Sequence, residues 1–295
     1  MSTTPARQAL RDLLNRHELI IAPGVFDGIS AQLARRTGHV AAYLTGAGVA
    51  ASGFALPDIG LVTQTEMTER ARMIVTALGD VPLIADADTG YGAGLNVVRT
   101  VRQYEDAGVA AIQLEDQVFP KRCGHLPDKQ VVDAATFVQT LTAALDARSD
   151  DDMLVVARTD ARAPLGLDAA IERANQYAQA GADVIFVEAP QGVDEIERIA
   201  REVEAPLLIN LVLGGMTPLE SSARLAELGY AIAIHPSNPL ARATFAMLEG
   251  LCELNGASPA DYAPTTPADF FNLVGMAEWR DLDEKLAAKE AASWA

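Results

Sequence analysis

Short apolar runs alternate with amphipathic stretches along nearly the whole chain. Eight of the runs read as strands: Leu19–Ala22, Val40–Leu44, Pro82–Asp86, Ala110–Glu115, Met153–Arg158, Asp183–Glu188, Pro206–Asn210 and Ala231–His235. They are apolar throughout rather than alternating, which suits strands covered on both faces, as in a parallel sheet. The stretches between them carry apolar residues at three- and four-residue spacing. Leu167, Ala170, Ile171, Ala174, Tyr177 and Ala178 share one helical face, and Phe137, Val138, Leu141, Ala144 and Leu145 share another. Eight strand–helix units predict an α/β fold, a closed (β/α)8 barrel of the TIM type, with a doubly wound open sheet as the alternative. Gly38, Gly108, Gly181 and Gly229 each end a helical stretch and precede a strand, as helix-capping glycines do. Seven residues beyond them stand Thr45, Glu115, Glu188 and Pro236, so equivalent positions fall at strand C-termini, the catalytic face of such a barrel. No linker-like stretch interrupts the alternation. One domain over residues 1–295 is expected, with the barrel over about 15–255 and a helical extension over about 256–295, its helices around Pro267–Met276 and Leu282–Ala292.

The strand ends carry a second pattern. At or just past them stand Tyr43 and Thr45, Asp58, Asp86 and Asp88, Glu115 and Asp116, Arg158 and Asp160, Glu188, Asn210 and His235. Any one acidic residue after a strand can simply cap the next helix. A rim of carboxylates is different, because the charges repel unless a cation neutralises them. A hard divalent ion with oxygen ligands, Mg2+, is the simplest occupant, and nothing has the Cys/His spacing of a zinc site. Gly90, Gly92 and Gly94 follow the third strand without the spacing of a dinucleotide loop, and are expected to let backbone approach a ligand or a metal-bound water.

Charge and cysteine content narrow the partners. The formal net charge of −17 argues against nucleic acid, whose phosphates would be repelled. A small anionic substrate is compatible only if the site supplies its own cations. Two cysteines, Cys123 and Cys252, make no disulfide framework and fit a reducing cytoplasm. No leader-like segment and no apolar run long enough to span a bilayer is present, so no membrane partner is expected.

The connection Gln117–Gln130 after the fourth strand is long for its place and carries Lys121-Arg122-Cys123-Gly124-His125. Long loops on this face act as lids. Flanking cations and a histidine would favour the Cys123 thiolate and suit the residue to proton transfer; the alternative is a solvent-facing basic loop with an incidental cysteine.

Together, Tyr43-Leu-Thr-Gly46, Leu56-Pro-Asp58, Asp86-Ala-Asp88, Glu115-Asp116-Gln117, Lys121-Arg-Cys-Gly-His125, Ala157-Arg-Thr-Asp160, Glu188-Ala-Pro190 and Asn210 resemble the isocitrate lyase/phosphoenolpyruvate mutase superfamily over about residues 10 to 285. The match is to the short lyases that cleave 2-methylisocitrate or 2,3-dimethylmalate. The resemblance implies Mg2+, with Mn2+ able to substitute, near Asp86, and Asp58, Asp88 and Glu115 on its waters. It implies a 2-hydroxy dicarboxylate held by Thr45, Gly46, Ala47, Gly124, Asn210 and Arg158. Cys123 would protonate the carbanion released by C–C cleavage, with Lys121, His125 and Glu188 in support. The base that takes the hydroxyl proton stays open between Tyr43 and a carboxylate-bound water. A homotetramer of paired subunits with exchanged C-terminal helices is also implied.

The chain departs from methylisocitrate lyases after the seventh strand. Asn210-Leu-Val-Leu213-Gly-Gly215-Met-Thr-Pro218 stands where those enzymes tend to carry Thr and Glu. Without those groups a third carboxylate loses its partners, and Leu213 and Met216 offer apolar surface instead. Other readings are a phosphonomutase or related phosphonate-processing enzyme of the carboxyvinyl-carboxyphosphonate phosphorylmutase type, an oxaloacetate hydrolase, and a non-catalytic small-acid binding protein.

Overall fold

The computed structural model describes residues 4–124, 129–262, 264 and 267–293. Eight parallel strands pair in sequence order and close on themselves. They are β1 (Ile20–Val25), β2 (Ala42–Leu44), β3 (Leu83–Asp86), β4 (Ala111–Glu115), β5 (Leu154–Thr159), β6 (Val184–Val187), β7 (Leu207–Asn210) and β8 (Tyr230–His235). Every expected run becomes a strand. Pairing of β1 with β8, Ile20 opposite Ile232 and Ala22 opposite Ile234, excludes the open sheet.

Strand residues sort by parity into two hydrophobic layers, because successive side chains leave opposite faces of a strand. Ala111, Leu154, Val156, Val184 and Phe186 point into the barrel, while Ile112, Val155, Ala157, Ile185 and Val187 pack outward under the helices. The same period, carried to the strand ends, brings Asp86, Arg158, Glu188 and Asn210 inward, each two residues beyond an inner apolar residue (Ile84, Val156, Phe186 and Leu208). The barrel is thus apolar at its base and ionic at its C-terminal mouth. The helix-capping glycines behave as expected: Gly38, Gly108, Gly181 and Gly229 have φ of +80°, +88°, +102° and +84°, a region that favours residues without a Cβ.

The base is plugged by the N-terminal helix Pro5–Asn15. Its Leu10 is buried in the inner layer, and buried Arg7 donates to the Val109 carbonyl (3.0 Å) and to Asp150 (2.9 Å). After β8 come helices Asn238–Asn255, Pro267–Asn272 and Met276–Ser293. Phe271 and Met276 bury against Ala47, Ile59 and Cys123, so in this chain the extension folds over its own barrel mouth. Met247, Leu251 and Leu254 form an exposed apolar stripe on the helix Asn238–Asn255. Among the described residues no helix is long and apolar enough to cross a membrane.

Candidate active site

A cavity of about 250 Å3 opens at the barrel mouth, reached by Tyr43, Thr45, Ala47, Asp58, Asp86, Cys123, Gly124, Arg158, Glu188 and Asn210. Residues from five strand ends and from the long loop therefore converge as the sequence pattern predicts. His125 lies outside the described residues.

One side is a buried acidic cluster. Asp86 accepts from the Gly46 amide (3.2 Å) through one oxygen, and from Gln113 (3.3 Å) and the Asp88 amide (3.2 Å) through the other. Lys121 bridges Asp58 and Asp88, 2.9 Å from the latter. Burial pushes the Asp88 carboxyl up to about 6; Lys121 opposes the rise, and Asp86 and Asp58 add to it. Burial likewise raises Glu115 well above the usual carboxylate range, against the pull of Arg158 and Lys121. Neither Glu115 oxygen accepts a hydrogen bond, although Arg158 Nη1 stands 3.2 Å away. Four buried carboxylates facing Lys121, and Arg158 at Glu115, outnumber the positive charge beside them, a deficit that a hard divalent cation would supply. Among the described residues no three His, Cys, Asp or Glu side chains group closely enough to ligate an ion on their own. The hard carboxylate oxygens present are of the type Mg2+ takes, an ion that keeps several of its waters.

The other side is built around Arg158. Its Nε and Nη2 donate to Asp160 (2.8 and 3.0 Å), and the guanidinium lies 5.2 Å from the Phe186 ring centroid. Burial works against its charge, but Asp160, Glu115 and Glu188 outweigh that, so Arg158 stays cationic. Asn210 donates to both oxygens of Glu188 (3.3 Å each). Cys123 sits at the rim with its amide donating to the Asp58 carbonyl (3.1 Å), and the Gln117 side chain bonds both ways with the Arg122 backbone (2.8 and 2.9 Å). The stretch up to Cys123 is thus held by the Asp58 carbonyl and by Gln117.

Several expectations need correction. Gly46 does not offer its amide to the cavity, because Asp86 takes it. Thr45 lines the cavity, but its hydroxyl caps the helix Gly46–Phe54 by accepting from the Gly48 amide (3.1 Å). Lys121 turns to the acidic cluster rather than toward Cys123, and Arg122 reaches Asp283 of the C-terminal helix (3.5 Å). Gly90, Gly92 and Gly94 do not line the cavity; all three have positive φ and shape the entry to the helix Leu95–Ala107. Met216 does not line the cavity either, whereas Leu213 does. Tyr43 donates to Gln113 (2.9 Å), and burial together with Asp86 raises its phenol well above its ordinary value. A phenol so held remains protonated and is a poor base.

Two residues escaped the sequence reading. Gln113, fully buried, ties Tyr43 to Asp86; a lone amide at an inner position of an apolar strand was its only signal. Lys129 is buried as well, donating to the Gly124 carbonyl and to Asp160 (3.1 Å), and nothing in the sequence separates it from a solvated lysine. The remaining wall is apolar, formed by Val212, Leu213, Leu240, Phe245, Phe270 and Phe271.

The chain is similar to known proteins over nearly its whole length. The sequence profile of the phosphoenolpyruvate phosphomutase family matches residues 10–254. A 2,3-dimethylmalate lyase of Eubacterium barkeri is 45% identical over 281 residues, 94% of this chain and 97% of that protein. A 2-methylisocitrate lyase of Aeropyrum pernix is 41% identical, covering 95% of this chain and 91% of its own. A crystal structure of 2,3-dimethylmalate lyase superposes with a TM-score of 0.84 at 39% identity, covering 97% of this chain and 96% of that one.

Proposed function

The chain belongs to the isocitrate lyase/phosphoenolpyruvate mutase superfamily, and from that footing we propose that it is a Mg2+-dependent carbon–carbon lyase cleaving a small 2-hydroxy dicarboxylic acid to a 2-oxo acid and a carboxylate. The observation that carries this reading is the placement of Cys123 in one cavity with Asp86 and Arg158. An acidic cluster suited to Mg2+, a cation for a substrate carboxylate and a proton donor thereby face the same space.

Asp86 would hold the ion, with Asp58, Asp88 and Glu115 on its waters; when bound it polarises the substrate oxygen as a Lewis acid. Arg158 receives the substrate carboxylate beside Thr45 and Ala47, while Asn210 holds Glu188 in place on the same wall. The Tyr43 hydrogen is committed to Gln113, so its oxygen is left to accept from the substrate hydroxyl. The buried carboxylates, rather than Tyr43, suit the role of proton acceptor. As the hydroxyl proton leaves, the C–C bond breaks and its electron pair stays on the carbon next to the departing carboxylate. Cys123 gives its proton to that carbon and becomes a thiolate. The buried apolar part of the wall, Val212, Leu240 and Phe271, limits the water that would compete for the carbanion.

The apolar wall also points to the kind of diacid. A third carboxylate placed against the buried Val212, Leu240 and Phe271 would lack partners, a cost of about 2 kcal/mol, whereas each alkyl carbon buried there contributes about 0.8 kcal/mol. Dimethylmalate-type substrates are favoured over methylisocitrate. The exposed stripe Met247, Leu251 and Leu254 supports self-association of the chain, with a homotetramer as the proposed assembly, although its C-terminal helices lie over its own barrel mouth rather than a neighbour's; a site thiol outside any disulfide suits the cytoplasm.

The test is 2-oxo-acid release from both diacids with Mg2+, coupled to a dehydrogenase. The expected kcat/KM for 2,3-dimethylmalate is higher by at least about tenfold, in line with the burial cost above. A preference for methylisocitrate would overturn the substrate reading. Release from neither, with interconversion of phosphonopyruvate and phosphoenolpyruvate, would overturn the reaction class.

A further inference from the structure

Lys129 has no role in the chemistry above, yet its side chain is 1% exposed and its ammonium sits between two groups of the site. It donates to the Gly124 carbonyl and, at 3.1 Å, to Asp160 Oδ1. That oxygen also accepts from Arg158 Nη2 at 3.0 Å, so one fully buried carboxylate holds two cations. Gly124 is packed tightly above them. A Cβ at Gly124 would lie 2.4 Å from Arg158 Nη2 and 2.6 Å from Glu188 Oε1.

The cysteine is therefore bracketed by two buried lysines. Lys121 ties the stretch before it to Asp58 and Asp88, on the acidic side of the cavity. Lys129 ties the peptide after it to Asp160 and hence to Arg158, on the substrate-carboxylate side. A buried ammonium is costly without partners, and here its partners are a carboxylate and a carbonyl of the very stretch that carries the thiol. If Lys129 were only a surface residue tucked away, a neutral side chain of equal length would serve as well.

We propose that Lys129 is a positioning residue: it couples the Cys123–Gly124 peptide to the Asp160–Arg158 pair, so that the thiol is held in register with the carboxylate that Arg158 binds. The role rests on the lyase reading for its kinetic consequence, but its geometric consequence is measurable without turnover.

The experiment uses the full-length protein and its Lys129→Met and Lys129→Arg variants in two arms. In the kinetic arm, Lys129→Met should lose about a hundredfold in kcat, the scale expected of a misplacement near 1 Å, with KM changed less than about threefold and partial recovery in Lys129→Arg. In the second arm, iodoacetamide alkylates Cys123, since Cys252 is buried. Oxalate with Mg2+, a planar stand-in for the 2-oxo-acid product, should slow alkylation in wild type. In Lys129→Met that protection should be largely lost while calorimetry still shows oxalate binding. Wild-type kcat and wild-type protection in Lys129→Met would overturn the proposal. Absence of lyase activity in the wild type together with loss of protection in the variant would overturn the lyase reading and leave the positioning role standing. Should Lys129→Met not fold, Lys129→Gln takes its place in both arms. If both neutral variants fail to fold while Lys129→Arg folds, the residue is structural and the proposal fails.

Discussion

Adding a single methyl group at Gly124 should disable the enzyme while leaving the barrel intact. Gly124 does not need a positive φ, so Gly124→Ala meets no backbone penalty; the conflict is purely steric. The new Cβ would stand 2.4 Å from Arg158 Nη2 and 2.6 Å from Glu188 Oε1, against an ordinary contact that begins at 3.4 Å. Relief requires a shift of about 1 Å, and the question is which partner moves. Arg158 is fixed through two hydrogen bonds to Asp160, and Glu188 receives the Asn210 amide on both oxygens. The loop peptide is the softer partner, and Cys123 moves with it. A displacement of about 1 Å from the productive position costs about a hundredfold in rate, so kcat should fall by that order. Gly124 lies outside both barrel layers, and its loss should move Tm by no more than about 2 °C. Steady-state kinetics beside a thermal melt checks both statements. Gly250→Ala is the control, since a Cβ there meets nothing within 4 Å. Turnover within about threefold of wild type for Gly124→Ala would show that the loop peptide does not set the position of the thiol.

Other expectations follow from the same geometry. Chelation should abolish turnover and Mg2+ or Mn2+ restore it; full activity in excess chelator would rule out the metal. Burial pushes Asp160 up, but Arg158 and Lys129 outweigh it and hold the carboxyl at about 2, below its unfolded value of 3.8. Its stabilisation is therefore complete above the unfolded value and fades as pH falls toward 2. The stability gap between wild type and Asp160→Asn should narrow by about 1 kcal/mol from pH 5 to pH 3, and a gap in urea denaturation that does not change with pH would contradict this. Leu213→Arg gives a third carboxylate a partner on the apolar wall. It should raise kcat/KM for 2-methylisocitrate relative to 2,3-dimethylmalate by at least about fivefold, a fraction of the cost of an unpaired buried charge; an unchanged ratio would remove Leu213 from the specificity surface.

The barrel was legible because its strands are continuous apolar runs and its helices end on glycines, two signals that tertiary context did not override. The polar rim was legible for a related reason. Asp86, Arg158, Glu188 and Asn210 interrupt apolar strands at their ends, where a buried polar group needs a purpose. Neighbouring residues were harder to sort, because inward and outward positions differ by one residue. Glu115 faces the site, whereas Asp116 takes hydrogen bonds from Thr159 and Tyr177 (2.8 Å each) outside it. Gln113 and Lys129 were missed because their roles depend on partners 27 and 31 residues away in sequence. Tyr43 read as a possible base because sequence reports neither burial nor the amide that captures its proton. The glycine turn at Gly90–Gly94 misled in the opposite direction: positive φ explains those glycines without a ligand.

Isotope labelling tests directly whether Cys123 protonates a carbanion released by C–C cleavage. Wild type and Cys123→Ser are incubated with 2,3-dimethylmalate and Mg2+ in deuterium oxide, and the products are followed by proton and carbon NMR. Wild type should yield pyruvate and propionate in equal amounts, with one deuterium on the propionate carbon next to the carboxylate. Cys123→Ser should slow product formation by at least about a hundredfold, the contribution of a positioned general acid. Propionate free of deuterium, or a serine variant that makes labelled propionate at the wild-type rate, would contradict the assignment of Cys123; an unchanged substrate spectrum in wild type would contradict the lyase itself.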